Sequence, residues 1–198
     1  MTKEVPSGAS IDEVEAEIET AQEAAALARV RAGDPAAYAV LVMLHAPMAK
    51  RLAVLSGAGN EADDVVQEAF VKAYEALPRF RSGAGFRPWL LRIVVNETRN
   101  LRRGRSRRTL RELRVATEER VTRSVPDPAE AAVDADRRSA LLDSVDALPD
   151  DLREVVTCRY LLQLSEAETA ETLGLPHGTV KSRLHRALAA LREVMSDA

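Results

Sequence analysis

Val66, Ala69, Phe70, Ala73 and Leu77 fall at i, i+3, i+4, i+7 and i+11. That spacing lines apolar side chains along one stripe of a helix with 3.6 residues per turn. Asp64, Gln67, Glu68, Val71, Lys72 and Glu75 occupy the opposite face. The composition agrees: Ala, Leu, Arg and Glu dominate, while aromatic residues, which favour strands, make up only 4% of the chain. The expectation is an all-α protein.

Turn and cap residues divide the helices. Ser10 and Glu13 form a capping box for a helix from Ile11 to about Arg31. Gly33-Asp34-Pro35 is a stop followed by a start, with Asp34 as N-cap and Pro35 at the first helical position. The next helix runs from about Tyr38 toward Leu55, with Pro47 expected to kink or interrupt it. Asn60 is expected to cap the striped helix, Asp63 and Asp64 suit its first turn, and Pro78 ends it. Pro88 opens a helix whose start, Trp89 to Val95, is apolar nearly all round and should be buried. Trp89 is read as a core residue. Arg92, Asn96, Arg99 and Arg103 share one face of this helix at i, i+4, i+7 and i+11, and Arg102, Arg105, Arg107, Arg108 and Arg111 extend the charge past its end.

A length of 198 residues suits one large or two small domains. Residues 112–135, with Ser124-Val125-Pro126-Asp127-Pro128, read as a flexible linker between two helical domains. About 22 such residues span about 25 Å as a random coil. Residues 1–24 form an acidic N-terminal extension, 25–111 the first domain and 136–198 the second. After the linker, Asp127 to Glu130 caps a new helix with Leu141, Leu142, Val145 and Leu148 as later apolar positions, and Pro149 starts another through Tyr160 and Leu161. Ser165 and Glu168 then form a second capping box, and Gly174 is placed for a left-handed turn before a helix reaching about Met195. Ala170, Leu173, Leu175, Val180 and Leu184 would pack between these last two helices. This is the outline of a helix-turn-helix whose second helix enters a DNA major groove.

The net charge of −3 conceals a segregation. Residues 1–28 hold one Lys against seven acids, net −6; residues 79–111 hold eleven Arg against one acid, net +10; residues 112–136 hold three Arg against seven acids, net −4. Residues 181–192 add Lys181, Arg183, Arg186 and Arg192 with no acid. Two basic patches in an acidic chain are the electrostatic footprint of a polyanion binder. Other classes are set aside. No long apolar run or signal-peptide core is evident, so no membrane partner is expected. Cys158 is the only cysteine and His45, His177 and His185 are scattered, so no metal site or cofactor is expected. Phosphate-loop, dinucleotide, nucleophile-elbow and zincin motifs are missing, which argues against an enzyme.

With these segments in view, the chain resembles the extracytoplasmic-function (ECF) sigma factors, the small two-domain branch of the sigma-70 family. Asp63 to Phe70, Phe80 to Leu90 and Arg92-Ile93-Val94-Val95-Asn96 resemble region two. Leu148-Pro149, Arg153-Glu154-Val155 and Gly178 to Leu184 resemble region four. Asn100 stands where many members have Asp, and Ser82 where Gly is common.

The resemblance implies a bacterial, cytoplasmic protein that binds core RNA polymerase, through the β′ clamp and β subunits, and promoter DNA, and that is held by an anti-sigma factor. It assigns Asp64, Gln67, Glu68 and Val71 to the polymerase. It assigns Arg81, Phe86, Arg87, Arg92, Asn96, Arg99 and Arg103 to the −10 element. Thr179, Lys181, Ser182, Arg183, His185 and Arg186, in the helix-turn-helix from Ser165 to Arg186, fall to the −35 element. Read from the residues alone, a conventional operator-binding regulator and a pure interaction protein remain as alternatives.

Overall fold

The computed structural model describes residues 11–81, 85–112 and 142–196. Among them there are helices and no strand. The N-terminal module contains α1 (Ile11–Arg31), α2 (Tyr38–Leu55), α3 (Ala62–Ala76) and α4 (Phe86–Glu112). The C-terminal module contains a helical stretch over 142–146, α5 (Asp150–Val156), α6 (Glu166–Leu173) and α7 (His177–Ser196). A π turn over Thr157–Leu161 continues α5. Ser10, the expected linker and the helix expected to start near Asp127 lie outside the described residues.

Local chemistry accounts for most boundaries. Asp34 Oδ1 accepts the Ala36 amide at 3.1 Å, opening the 3₁₀ turn Pro35–Ala37 that leads into α2. Asn60 does not cap α3: it lies in the 3₁₀ turn Gly59–Glu61, whose helical backbone leads into α3 with no side-chain cap, while Asp63 and Asp64 occupy the first turn. Pro47 does not interrupt α2 either. It sits on the exposed face of the helix.

Segment Pro35–Leu55 is long and apolar enough to cross a membrane, with a mean hydropathy of 1.4. In this fold Leu41, Ala49, Leu52 and Ala53 on α2 are buried, and α2 packs on α1, α3 and α4. The stripe of α3 faces the same core through Val65, Ala69, Phe70, Ala73 and Leu77, with Val66 half-buried at its edge. Helix α4 is buried at Phe86, Leu90, Leu91, Val94 and Val95. The Phe80, Phe86 and Trp89 rings meet at 4.8–5.8 Å, which places Trp89 against the core.

The two modules share one core. Val155, Cys158, Leu162, Leu164 and Leu173 belong to the cluster that contains Leu90, Leu91 and Val94. Helix α6 lies on α4, and the π turn touches α2. Burial and the neighbouring Glu154 push the Cys158 thiol up to about 12, so it stays protonated at neutral pH. A smaller second cluster joins Val145, Leu148, Leu152 and Val156 to Ala187 and Leu191 of α7. Tyr160, in the π turn, is 53% exposed.

Phe86 has no exposed surface. Phe86→Ala should therefore cost about 3–5 kcal/mol, the range for emptying a buried aromatic site. The urea unfolding midpoint, compared with the unsubstituted chain, checks this.

Candidate polymerase and nucleic-acid interfaces

On α3, Asp64, Gln67, Glu68 and Val71 are all exposed. Glu68 is steadied by Lys72 Nζ at 3.1 Å, and Lys72 also reaches Glu97 of α4 at 2.7 Å. Beside this face an open groove of about 720 Å³ runs between α2 and α3. Tyr38, Val42, Phe70, Val71 and Tyr74 line it, and the Tyr38 hydroxyl donates to the Phe70 carbonyl at 2.7 Å. The sequence reading found the polar face of α3 but missed the groove. Tyr38 and Tyr74, 36 positions apart, come together only through tertiary packing, with ring centroids at 5.0 Å.

The arginine face of α4 is built differently from expectation. The helix continues to Glu112, so Arg102 to Arg111 lie within it and not beyond its end. Asn96 and Arg103 are exposed, and Arg103 Nη2 donates to Asn100 Oδ1 at 3.0 Å. Arg81 is exposed in the preceding loop. Phe86 is a core residue, so the contact with DNA expected of it gives way to packing against Phe80 and Trp89. Arg105 is a brace: it donates to the Gly57 and Ala58 carbonyls and pairs with Glu61, tying α4 to the loop before α3.

Carboxylates of the C-terminal module reach the rest of this face. Arg99 forms a two-pronged pair with Glu154, Nε–Oε1 at 2.8 Å and Nη2–Oε2 at 2.5 Å. The Glu154 side chain is only 7% exposed. Arg102 donates to Asp150 at 2.6 Å, and Arg87 pairs with Glu168. The Arg92 guanidinium lies over Gly174, so close that a Cβ there would sit 3.0 Å from Nη2. Neither Arg102 nor these acids were singled out for this role. The one local signal was Asp150 and Glu154 at i, i+4, which places them on the same helix face.

The C-terminal module has the helix-turn-helix geometry. Ser165 Oγ accepts the Glu168 amide at 3.2 Å while the Glu168 carboxylate accepts the Ser165 amide at 2.8 Å, a complete capping box. Gly174 takes φ +65°, and the Gly174 and Leu175 amides return to the Glu171 and Ala170 carbonyls, closing α6 in a Schellman turn. Ala170, Leu173 and Val180 are buried, with Leu175 and Leu184 half-buried beside them. This orients the first turns of α7 outward: Lys181, Ser182, His185 and Arg186 are exposed, and Thr179 and Arg183 are half-buried. Arg186 and Arg183 approach Asp151 at 3.3 and 3.5 Å, and Lys181 approaches Glu166 at 3.6 Å. Pairs this exposed contribute little and are readily exchanged. Among the described residues, no His, Cys, Asp or Glu cluster is arranged to hold a metal ion.

The chain thus combines an exposed polar face on α3, an arginine-rich face on α4 and an exposed basic helix-turn-helix. Residues 41–108 match the family described as Sigma-70 region 2, and residues 138–191 the family described as Sigma-70, region 4. The chain is 34% identical over 169 residues to the ECF RNA polymerase sigma-E factor of Escherichia coli (strain K12), covering 82% of this chain and 88% of that protein. It is 33% identical over 165 residues to the factor of the same name from Haemophilus influenzae, covering 80% and 87%. It is also similar to the solved structure of CnrH in complex with the cytosolic domain of CnrY, at 28% identity and a TM-score of 0.65, covering 89% and 98%. The chain belongs to the ECF branch of the sigma-70 family. It is a sigma factor that directs transcription initiation.

Between the modules, the hydrogen bond from Arg102 holds the Asp150 carboxyl below its ordinary 3.8. Burial raises Glu168, but the bonds from Arg87 and Ser165 outweigh it and leave that group below its ordinary 4.5. A carboxylate with a lowered folded-state pKa contributes stability above its unfolded value and loses it as pH falls through the folded one. The urea midpoint should therefore fall steeply below about pH 4. Asp150→Asn should flatten that fall, read from urea titrations at several pH values.

Proposed function

We propose that the chain lends core polymerase two DNA-reading surfaces and one docking surface, with no chemistry of its own, in the bacterial cytoplasm. Asp64, Gln67, Glu68 and Val71 dock on the β′ clamp; their common exposure on one face of α3 supports this. Arg81, Arg87, Arg92, Asn96, Arg99 and Arg103 hold the −10 non-template strand, where stacking and phosphate contacts offset the cost of extruding a base. Thr179 and Arg183 touch the −35 phosphates, and Lys181, Ser182, His185 and Arg186 read base edges.

The observation that carries this reading is the arrangement of α6 and α7, in which the capping box and the Gly174 turn present a basic helix face outward. The modules divide as residues 25–111 and 136–198, with 112–135 as tether and 1–24 as an acidic extension. Helix α1 crosses the first of those boundaries unbroken. The fold shared with CnrH, solved with the cytosolic domain of CnrY, supports a protein anti-sigma partner here too.

Purified chain added to core polymerase should produce promoter-specific transcripts; none at any genomic promoter would overturn the proposal. Gln67→Ala with Glu68→Ala should weaken core binding roughly tenfold, the loss of a modest hot spot, with unchanged helicity by circular dichroism. Arg186→Ala should lower use of promoters with a strong −35 element by about 1–3 kcal/mol if the contact is bidentate to guanine. Competition between promoter pairs in one transcription reaction measures it.

A further inference from the structure

Glu97 is the single acid among the eleven arginines between residues 79 and 111, yet the cation it meets is a lysine of another helix. Its neighbours at i−4 and i+4 are Ile93 and Leu101, both half-buried against the core. Glu97 therefore lies on the side of α4 that packs toward α3, not on the arginine face. There it accepts from Lys72 Nζ at 2.7 Å. The same ammonium lies 3.1 Å from Glu68 Oε1, one turn earlier on α3. One positive charge is thus shared by two carboxylates, one on α4 and the other on the exposed face of α3.

The surroundings of the two carboxylates decide which of them holds Lys72 more firmly. The Glu97 side chain is 15% exposed and that of Glu68 54%, so water and salt screen the second pair more than the first. On a helix, Glu followed by Lys at i+4 is the favourable order, so without Glu97 the ammonium would settle on Glu68. The hydrogen bonds to Glu97 first and then to Glu68 hold the Lys72 amine above its ordinary 10.5, which keeps the shared charge in place.

We propose that Glu97 is a positioning residue for polymerase binding: it draws the Lys72 ammonium toward α4, so that Glu68 is not neutralised and can meet a basic surface of the polymerase. This rests on the assignment of the α3 face to the polymerase. The basic character of that surface follows from complementarity with Asp64 and Glu68, and charges at such an exposed rim act chiefly on the rate of association. Helices α3 and α4 also pack through the shared core, and Arg105 braces α4 against the loop before α3. Loss of a half-exposed ion pair therefore leaves the fold standing.

The test follows the association of the labelled full chain with purified core polymerase by stopped-flow anisotropy at several salt concentrations. E97Q should slow association about threefold at low salt with little change in dissociation, and the difference should shrink as salt rises. E97D, which keeps the carboxylate, should associate like the unsubstituted chain. K72M should associate at least as fast, and adding E97Q to K72M should change nothing further, because Glu97 acts only through Lys72. E17Q, the same charge change on an exposed α1 residue, should have no effect. E68Q should slow association at least as much as E97Q. Circular dichroism and urea midpoints confirm that each variant is folded. If E68Q slows association but E97Q does not, or if E97Q slows it equally with and without Lys72, the role of Glu97 is overturned and the docking face stands. An E68Q chain that associates at the unsubstituted rate would overturn the docking assignment of Glu68, and the role of Glu97 with it.

Discussion

The pairing of Arg99 with Glu154 is the interaction on which the arrangement of the whole chain depends. The Glu154 side chain is 7% exposed, and its partner lies 55 positions away in the other module. The hydrogen bonds that Arg99 donates to Glu154 hold its guanidinium still more firmly in the charged form. Such a pair does little for net stability, because desolvation cancels much of its attraction. Its effect is on geometry. Apolar surfaces such as Leu164 and Leu173 would pack in many rotations against α4, but only one of them brings a fork of donors to a fork of acceptors.

Seen this way, the segregation of charge along the chain has two uses. Eleven arginines between residues 79 and 111 would repel one another on an isolated helix. The fold answers by giving several of them acidic or carbonyl partners: Arg87, Arg99 and Arg102 across the module boundary, and Arg105 at the loop before α3. Arg81 and Arg103 stay exposed, as does Asn96 between the clamps. The helix is thus partly neutralised by its own chain, and a near-zero total charge describes a closed object better than it describes either module.

The legible parts of the fold were those governed by interactions within four or five residues. The Ser165–Glu168 box, the Gly174 turn, the Asp34–Pro35 start and the buried stripe of α3 follow from side chains that meet their own backbone or the next turn. The exposure of Asp64, Gln67, Glu68, Val71, Lys181, Ser182, His185 and Arg186 was legible for the same reason, since helical period decides which face is wet. Phe86 was not legible, because its burial depends on Phe80 and Trp89 converging from a turn and a helix. Pro47 misled because α2 continues through it, with the proline on the exposed face. The docking of α5 and α6 on α4 was invisible because its partners lie 48 to 81 residues apart, across a segment that carries no periodic signal.

Electrostatics also decides what can separate the modules. The attraction between exposed or half-exposed ions decays over about 8 Å at physiological salt, so the peripheral pairs Arg87–Glu168 and Arg102–Asp150 weaken as salt rises. The Arg99–Glu154 pair, shielded from water, weakens less. Binding of a phosphate backbone at the proposed −10 arginines would weaken with salt as well, since it would draw its free energy from released counterions. Raised ionic strength therefore loosens the peripheral pairs before it loosens Arg99–Glu154.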